Sequence, residues 1–192
     1  SDLYALVVYL RNKLFDIDFF SSKRSQIPTI CVGNLSVGGT GKTPMIEYLV
    51  HYFQEDFKVA VLSRGYRRKS NGFVLATPAS RVEDLGDEPY QIHAKFPLVS
   101  VAVDTDRRNG ISQLEKKIDP DVILLDDAFQ HRKVKADLYV LLTTYGSLYV
   151  DDWYLPTGNL RDSRSQARRA NYIIITKCPK TINKKERQQI IE

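Results

Sequence analysis

The chain has 192 residues, 43% hydrophobic and 27% charged, with a formal net charge of +5; this suits a globular α/β domain with a full core, and so small a positive excess does not point to nucleic acid, although it favours phosphorylated or acidic membrane partners. The two cysteines, Cys31 and Cys178, lack zinc-type spacing and adjoin apolar runs, so both are expected to be buried free thiols. The apolar run at residues 3–10 is too short to cross a bilayer and no signal-cleavage pattern follows it, which gives a cytoplasmic expectation.

In chain order, Leu3, Val7, Leu10, Leu14 and Ile17 recur at steps of four and three and line one face of a helix. Leu6, Phe15, Phe19 and Phe20 widen that face, and Arg11, Lys13, Lys23 and Arg24 lie on or after it. The pattern fits a helix packed on its own domain. It also fits an interfacial helix with basic residues near lipid headgroups, for which full burial of the face sets an upper bound of about 8–15 kcal/mol.

Residues 30–32 form a short apolar run, followed by a glycine-rich turn and by Ile46, Leu49, Val50 and Phe53 at helical spacing. Strand, glycine turn, Lys-Thr and helix in this order make a phosphate-binding loop. Gly38, Gly39 and Gly41 let the backbone turn sharply and bring its N–H groups to phosphate oxygens, with Ser36, Val37 and Thr40 completing the loop. Lys42 is placed to reach the β- and γ-phosphates, and the Thr43 hydroxyl to join the shell of Mg²⁺. Ser36 stands where the common motif has its first glycine, while Pro44 suits a first helical turn.

A second buried strand is expected at residues 58–63, running into the basic turn 64–69, which either meets a substrate phosphate or is a solvated loop. Residues 72–76 read as a short strand. Pro89 can open a helix, which makes Asp87 or Glu88 a natural cap; the competing reading places Asp87 as an active-site carboxylate. A strand at 98–103 and a helix at 111–118 follow. Residues 122–125 then deliver Asp126 and Asp127, as a buried strand delivers a carboxylate to the Mg²⁺ beside a phosphate loop. Adjacent residues on a strand alternate in direction, so one of the two acids is expected to face the metal. Strands at 137–143 and 172–176 flank a Pro/Gly loop carrying Arg161 and Asp162, a short basic helix at 166–170, and a final helix from 183. Strands alternating with helices give a P-loop NTPase-like α/β fold, a mostly parallel sheet covered on both faces and preceded by the amphipathic helix.

These pieces together resemble the tetraacyldisaccharide 4′-kinase family. The residues that carry the resemblance are VGNLSVGGTGKTP (32–44), LSRGYRR (62–68), GDEP (86–89), DDAFQH (126–131) and LPTGNLRD (155–162). The resemblance implies ATP- and Mg²⁺-dependent phosphorylation of the 4′-hydroxyl of a tetraacyldisaccharide 1-phosphate, giving lipid IVA in lipid A biosynthesis at the cytoplasmic face of the bacterial inner membrane. Residues 1–24 then become a membrane-associating helix and 25–192 the kinase domain, with no nucleic acid and no obligate protein partner. Carried over by position, Lys42, Asp87, Arg161 and Asp162 are catalytic, residues 36–43 bind ATP, and Thr43, Asp126, Asp127 and Gln130 serve the metal. Ala128 stands where the family commonly has Gly, and Asp162 where many members have Glu. The resemblance also implies a smaller lobe after residue 192, supplying a histidine that pairs with the GDEP aspartate. Two other readings remain open: a nucleotide-dependent regulatory switch, for which Thr176, Lys177, Cys178 and Pro179 only partly echo a guanine-reading block, and a P-loop kinase of a small soluble substrate.

Overall fold

The continuous apolar runs at 59–62, 122–125 and 138–142 are long enough for strands and carry no polar alternation, as strands buried on both faces require. A computed structural model describes residues 2–17 and 19–191; Ser1, Asp18 and Glu192, which fall within the expected first and last helices or beside them, lie outside the described residues. The elements run α1 (Asp2–Asp16), β1 (Lys23–Arg24), β2 (Thr29–Asn34), α2 (Lys42–Phe53), β3 (Val59–Ser63), β4 (Val74–Leu75), α3 (Val82–Leu85), α4 (Asp87–Lys95), β5 (Ser100–Val103), α5 (Arg107–Lys117), β6 (Val122–Asp126), β7 (Val134–Lys135) and β8 (Leu138–Thr144). A 3₁₀ helix at Arg164–Arg169, β9 (Tyr172–Thr176) and α6 (Lys184–Ile191) complete the chain.

The main sheet has seven strands in the order β4-β5-β3-β6-β2-β8-β9, and only the β4–β5 pair is antiparallel. Alternation along each strand divides the core. Cys31, Leu62, Leu125 and Leu141 pack with Ile111, Leu114 and Phe129 on one face, while Val32, Val61, Leu124 and Leu142 pack with Ile46, Val50 and Ile92 on the other. The strands of the phosphate loop and of the acidic pair are neighbours, with Val32 paired to Asp126. In an open parallel sheet this brings the carboxyl ends of both strands to one crevice.

One expectation changes, and two further features were left open by pattern alone. Cys178 is exposed, because it lies beyond the end of β9; only Cys31 is buried, and burial pushes its thiol up to about 12. Helix α1 turns its apolar stripe away from the domain: Leu3, Val7, Leu10 and Ile17 are exposed, whereas Val8 and Asn12 are buried. Asp127 leaves β6 in a left-handed conformation (φ 46°), so the strict alternation of a strand no longer applies to it. Because Asp127 takes the positive φ of this turn, the Cβ of Ala128 is accommodated at a buried position. The small parallel pair β1–β7 had no sequence signal, since each strand is only two residues long.

Gly33 lies where β2 passes the chain leaving β6. A Cβ there would sit 2.5 Å from Phe129 Cβ and 3.0 Å from the Phe129 nitrogen. Gly33→Ala is therefore expected to destabilise the fold by about 1–3 kcal/mol through overpacking, read as a lower denaturant midpoint with an unchanged slope.

Candidate active site

The phosphate loop is braced before any ligand arrives. Asn34 Nδ2 donates to the buried Thr40 Oγ1 at 2.7 Å, Thr176 Oγ1 donates to the Thr40 carbonyl at 2.9 Å, and Val37 N donates to the Asn159 carbonyl at 2.7 Å. Gly41 caps α2 in a left-handed conformation (φ 87°) with no side-chain cap. The amides of Lys42 and Thr43, in the first turn, consequently have no carbonyl partner within the helix and leave the dipole's positive end open to an anion. Ser36 Oγ is buried with no hydrogen-bond partner.

A cleft of about 480 Å³ opens beside the loop, lined by Val37, Gly38, Lys42, Ser63, Arg64, Tyr66, Asp87, Glu88, Pro89, Asp126, Asp127 and Arg161. Lys42, Asp87, Asp126, Asp127 and Arg161 are thus brought together from separate segments. Ser36, Gly39, Thr40, Gly41 and Thr43 belong to the loop but not to the cleft lining; Thr40 supports the loop from inside.

Both acids of the pair line the cleft, because Asp127 follows the strand's last residue with a left-handed turn. Their environments differ. Asp126 is buried; one carboxylate oxygen accepts from Ser63 Oγ at 3.0 Å and the other has no donor. Burial, and then the charges of Glu88 and Asp127, push its carboxyl up to about 6. Burial also pushes Asp127 up, but the hydrogen bonds and charge of Arg161, joined by Lys42, outweigh it and hold the carboxyl below its ordinary value. Arg161 forks onto Asp127 at 2.8 and 3.3 Å and also donates to Asn34 Oδ1, while Lys42 Nζ stands 3.7 Å from Asp127. An orphaned, buried carboxylate oxygen at the end of a strand fits a cation. Among the described residues there is no group of three or more His, Cys, Asp or Glu able to hold a metal unaided. That combination suits Mg²⁺, which takes one or two carboxylates and fills its remaining positions with water and phosphate.

Two glycines set the opposite wall. A Cβ on Gly65 (φ 69°) would lie 2.8 Å from the Leu85 carbonyl, and one on Gly86 (φ 87°) 2.6 Å from the Tyr66 carbonyl. This close backbone approach holds Arg64 and Tyr66 against the start of α4, where Gly86 is the cap and Asp87 the first helical residue. Neither Asp87 nor Glu88 is the cap itself. The basic turn divides: Arg64 lines the cleft, whereas Arg68 donates to Ser70 Oγ and to the carbonyls of Gly72 and Val103, and Lys69 pairs with Glu83.

Two predicted site residues lie elsewhere. Asp162 is fully buried away from the cleft lining, with its oxygens taken by Asn12 Nδ2 at 2.7 Å, Ser163 N at 2.8 Å and Arg11 at 3.0 Å. Its shorter side chain points toward α1, so its contacts do not support a catalytic role. Gln130 donates to the Asn34 carbonyl and is not among the residues lining the cleft. Sequence reasoning also missed Ser63, Asn34 and the buried Arg107, which donates to the Asp126 carbonyl at 3.0 Å. The position of Ser63 at the end of a buried strand was the available signal; Arg107 had none. His131 is held neutral, with burial followed by the charges of Arg107 and Arg64 lowering it to about 4.

The raised pKa of Asp126 carries a cost in stability at neutral pH. The folded state holds a proton that the unfolded state releases near pH 4, so stability is lost as pH rises from about 4 to about 6 and stays lost above. A shift from 3.8 to about 6 corresponds to roughly 3 kcal/mol at most. In the absence of divalent cation, Asp126→Asn is expected to raise the melting temperature at pH 7.5 and to match the parent protein at pH 4.

A family model described as tetraacyldisaccharide-1-P 4′-kinase, LpxK, matches residues 1–192. The tetraacyldisaccharide 4′-kinase of Flavobacterium johnsoniae is 57% identical over 189 residues, covering 98% of this chain and 56% of the relative. That of Bacteroides thetaiotaomicron is 56% identical over 184 residues, covering 95% of this chain and 48% of the relative. The crystal structure of LpxK from Aquifex aeolicus in complex with ATP superposes with a TM-score of 0.86 at 38% identity, covering 96% of this chain and 60% of that one. The chain therefore spans about half the length of the curated relatives it matches. With the glycine loop, the acidic pair and the GDEP turn gathered around one cleft, the chain belongs to the tetraacyldisaccharide 4′-kinase family.

Proposed function

We propose that this chain forms the nucleotide-binding part of an ATP-dependent kinase that phosphorylates the 4′-hydroxyl of tetraacyldisaccharide 1-phosphate to give lipid IVA. The observation that carries the reading is the convergence of Lys42, Arg161, Asp126, Asp127 and Asp87 on one cleft beside uncapped helix amides. ATP as donor is supported by the Aquifex aeolicus relative, whose crystal structure is a complex with ATP.

In this reading the loop amides and Lys42 receive the β- and γ-phosphates, and catalysis is mainly positioning and charge stabilisation. An entering phosphate takes Lys42 and Arg161 from Asp127, which frees that carboxylate. Asp126, Asp127 and Thr43 would hold Mg²⁺, which would supply positive charge against the charge developing in phosphate transfer. Ser63 keeps one Asp126 oxygen turned away, leaving the other for the cation. Asp87, exposed on the far wall, accepts the proton of the sugar hydroxyl. Asp162 and Gln130 are not assigned catalytic or metal roles.

The glycolipid acceptor suits the outward stripe of α1. Leu3, Val7, Leu10, Ile17 and Phe19 are exposed, with Lys13, Lys23 and Arg24 exposed nearby, as an interfacial helix requires. Among the described residues no helix is long and apolar enough to cross a membrane. We therefore read residues 1–24 as a surface-binding helix, residues 25–192 as the kinase portion and the location as peripheral, on the cytoplasmic face of the inner membrane.

ATP-dependent phosphate transfer to tetraacyldisaccharide 1-phosphate by the full-length protein tests the activity. Lys42→Ala should lower turnover by roughly 10²–10³-fold, by analogy with loss of other charge-stabilising donors, with the melting temperature nearly unchanged. Asp87→Asn should lower kcat far more than ATP affinity. Retained turnover in Lys42→Ala, or a preference for GTP with no acceptor phosphorylated, would overturn the assignment in favour of another P-loop class. Co-flotation with vesicles containing phosphatidylglycerol tests the membrane reading: Val7→Glu/Leu10→Glu should abolish it without altering the melting temperature. A parent protein that stays unbound would point instead to a soluble acceptor.

A further inference from the structure

The segment at residues 159–162 is attached on two sides. On one side it follows the phosphate loop: Val37 N donates to the Asn159 carbonyl at 2.7 Å, Ser36 pairs with Leu160 as an isolated bridge, and Arg161 N donates to the Leu35 carbonyl at 2.8 Å. On the other side it is gripped by helix α1. Tyr4 Oη donates to the Arg161 carbonyl at 2.9 Å, Asn12 Nδ2 to Asp162 at 2.7 Å and Arg11 to Asp162 at 3.0 Å. Consecutive residues therefore do different work: the Arg161 side chain enters the cleft and binds Asp127, while Asp162 turns away and carries the helix.

The grip is polar, and its Asn12–Asp162 centre is buried. Asp162 is 0% exposed and Asn12 4%, on a helix whose large apolar residues mostly face outward. The Asn12 carbonyl is held in turn by Arg132 at 2.9 Å, and Arg132 also pairs with Asp16. Packing a helix through a buried carboxylate rather than through its abundant Leu and Val is a poor way to gain stability, since desolvation offsets much of the attraction. It is, however, an effective way to impose one register: the hydrogen bonds are directional, and a shift along the helix would leave the buried carboxylate with only the Ser163 amide as donor.

We propose that Asn12 and Asp162 are positioning residues, and that the docking of helix α1, read through the backbone of residue 161, sets where the Arg161 guanidinium stands in the cleft. The proposal rests on the reading of Arg161 as a phosphate-binding cation, and it makes the helix that would meet the membrane a component of the active site's geometry. Loosening α1 frees Arg161 from its alignment with Asp127 and with the phosphates that replace that carboxylate. The electrostatic arrangement of the cleft, rather than the presence of the phosphate loop, is what the helix controls.

The test uses the full-length protein with Asn12→Ala, Asp162→Ala and the exchanged pair Asn12→Asp/Asp162→Asn. The exchange keeps one carboxylate, one amide donor and a partner for Arg11, which already lies 3.3 Å from Asn12 Oδ1. Each single variant should lower kcat for phosphate transfer by roughly tenfold or more, as small misplacements of a catalytic group do, with the ATP dissociation constant changed by less than about threefold. The exchanged pair should recover most of the loss. Tyr4→Phe removes only the bond to the Arg161 carbonyl from a partly exposed site, and should show a smaller loss in the same direction even if Asn12→Ala proves unstable.

An arm independent of turnover is the Arg161 Nε–H resonance of ¹⁵N-labelled protein, assigned with Arg161→Lys. It should be resolved in the parent and exchanged proteins and broadened by exchange in the single variants. Unchanged kcat in the folded variants, losses in kcat and ATP affinity that simply follow a fall in melting temperature, or no recovery in the exchanged pair would overturn the proposal. If the parent protein transfers no phosphate, the functional reading fails while the resonance still decides the positioning role.

Discussion

The site depends on one register. Parallel pairing of β2 with β6, with Val32 beside Asp126, places the carboxyl end of the acidic strand next to the start of the phosphate loop. Both strands lie inside the seven-stranded sheet with helices on each face, so neither can slip without exchanging one core face for the other. Gly33 permits the chain leaving β6 to cross β2 at Cβ-excluding distance, which carries Asp127 and Phe129 over the strand. The cleft is thus a consequence of sheet packing rather than of a mobile loop.

That packing gives two adjacent carboxylates opposite characters. Asp126, buried and half satisfied, is pushed toward its neutral form; Asp127, forked by Arg161 and close to Lys42, is held ionised. Two of the cleft's cations, Arg161 and Lys42, lie against its own acid, Asp127. Under the proposed function, phosphate and a divalent cation would exchange these partners, phosphate taking the two cations and the divalent ion the freed carboxylate.

Helix α1 shows how a correct pattern can leave the orientation open. Its apolar residues recur with helical period, and a period alone states that one face is distinct, not what that face meets. The domain binds the opposite side through Asn12, Arg11, Tyr4 and Val8. Asp162 presents a related case: beside Arg161 in sequence it looks like half of a catalytic pair, but its contacts turn it to the helix.

By itself the sequence determined the class of fold and the chemistry of the loop. Buried strands, glycine turn and helical period are local signals, and residues 29–34, 42–53 and 122–126 adopt the expected elements with small shifts at their ends. It also placed Lys42 and the loop amides at one site, because their own strand delivers them there. The tertiary structure decided which of the acids face the cleft, that Ser63, Asn34 and Arg107 support them, that Gln130 and Asp162 do not line the cleft, and which side of α1 is outward. Those outcomes depend on a left-handed residue, a strand register and contacts between segments more than a hundred residues apart, and local composition carries no record of such distances.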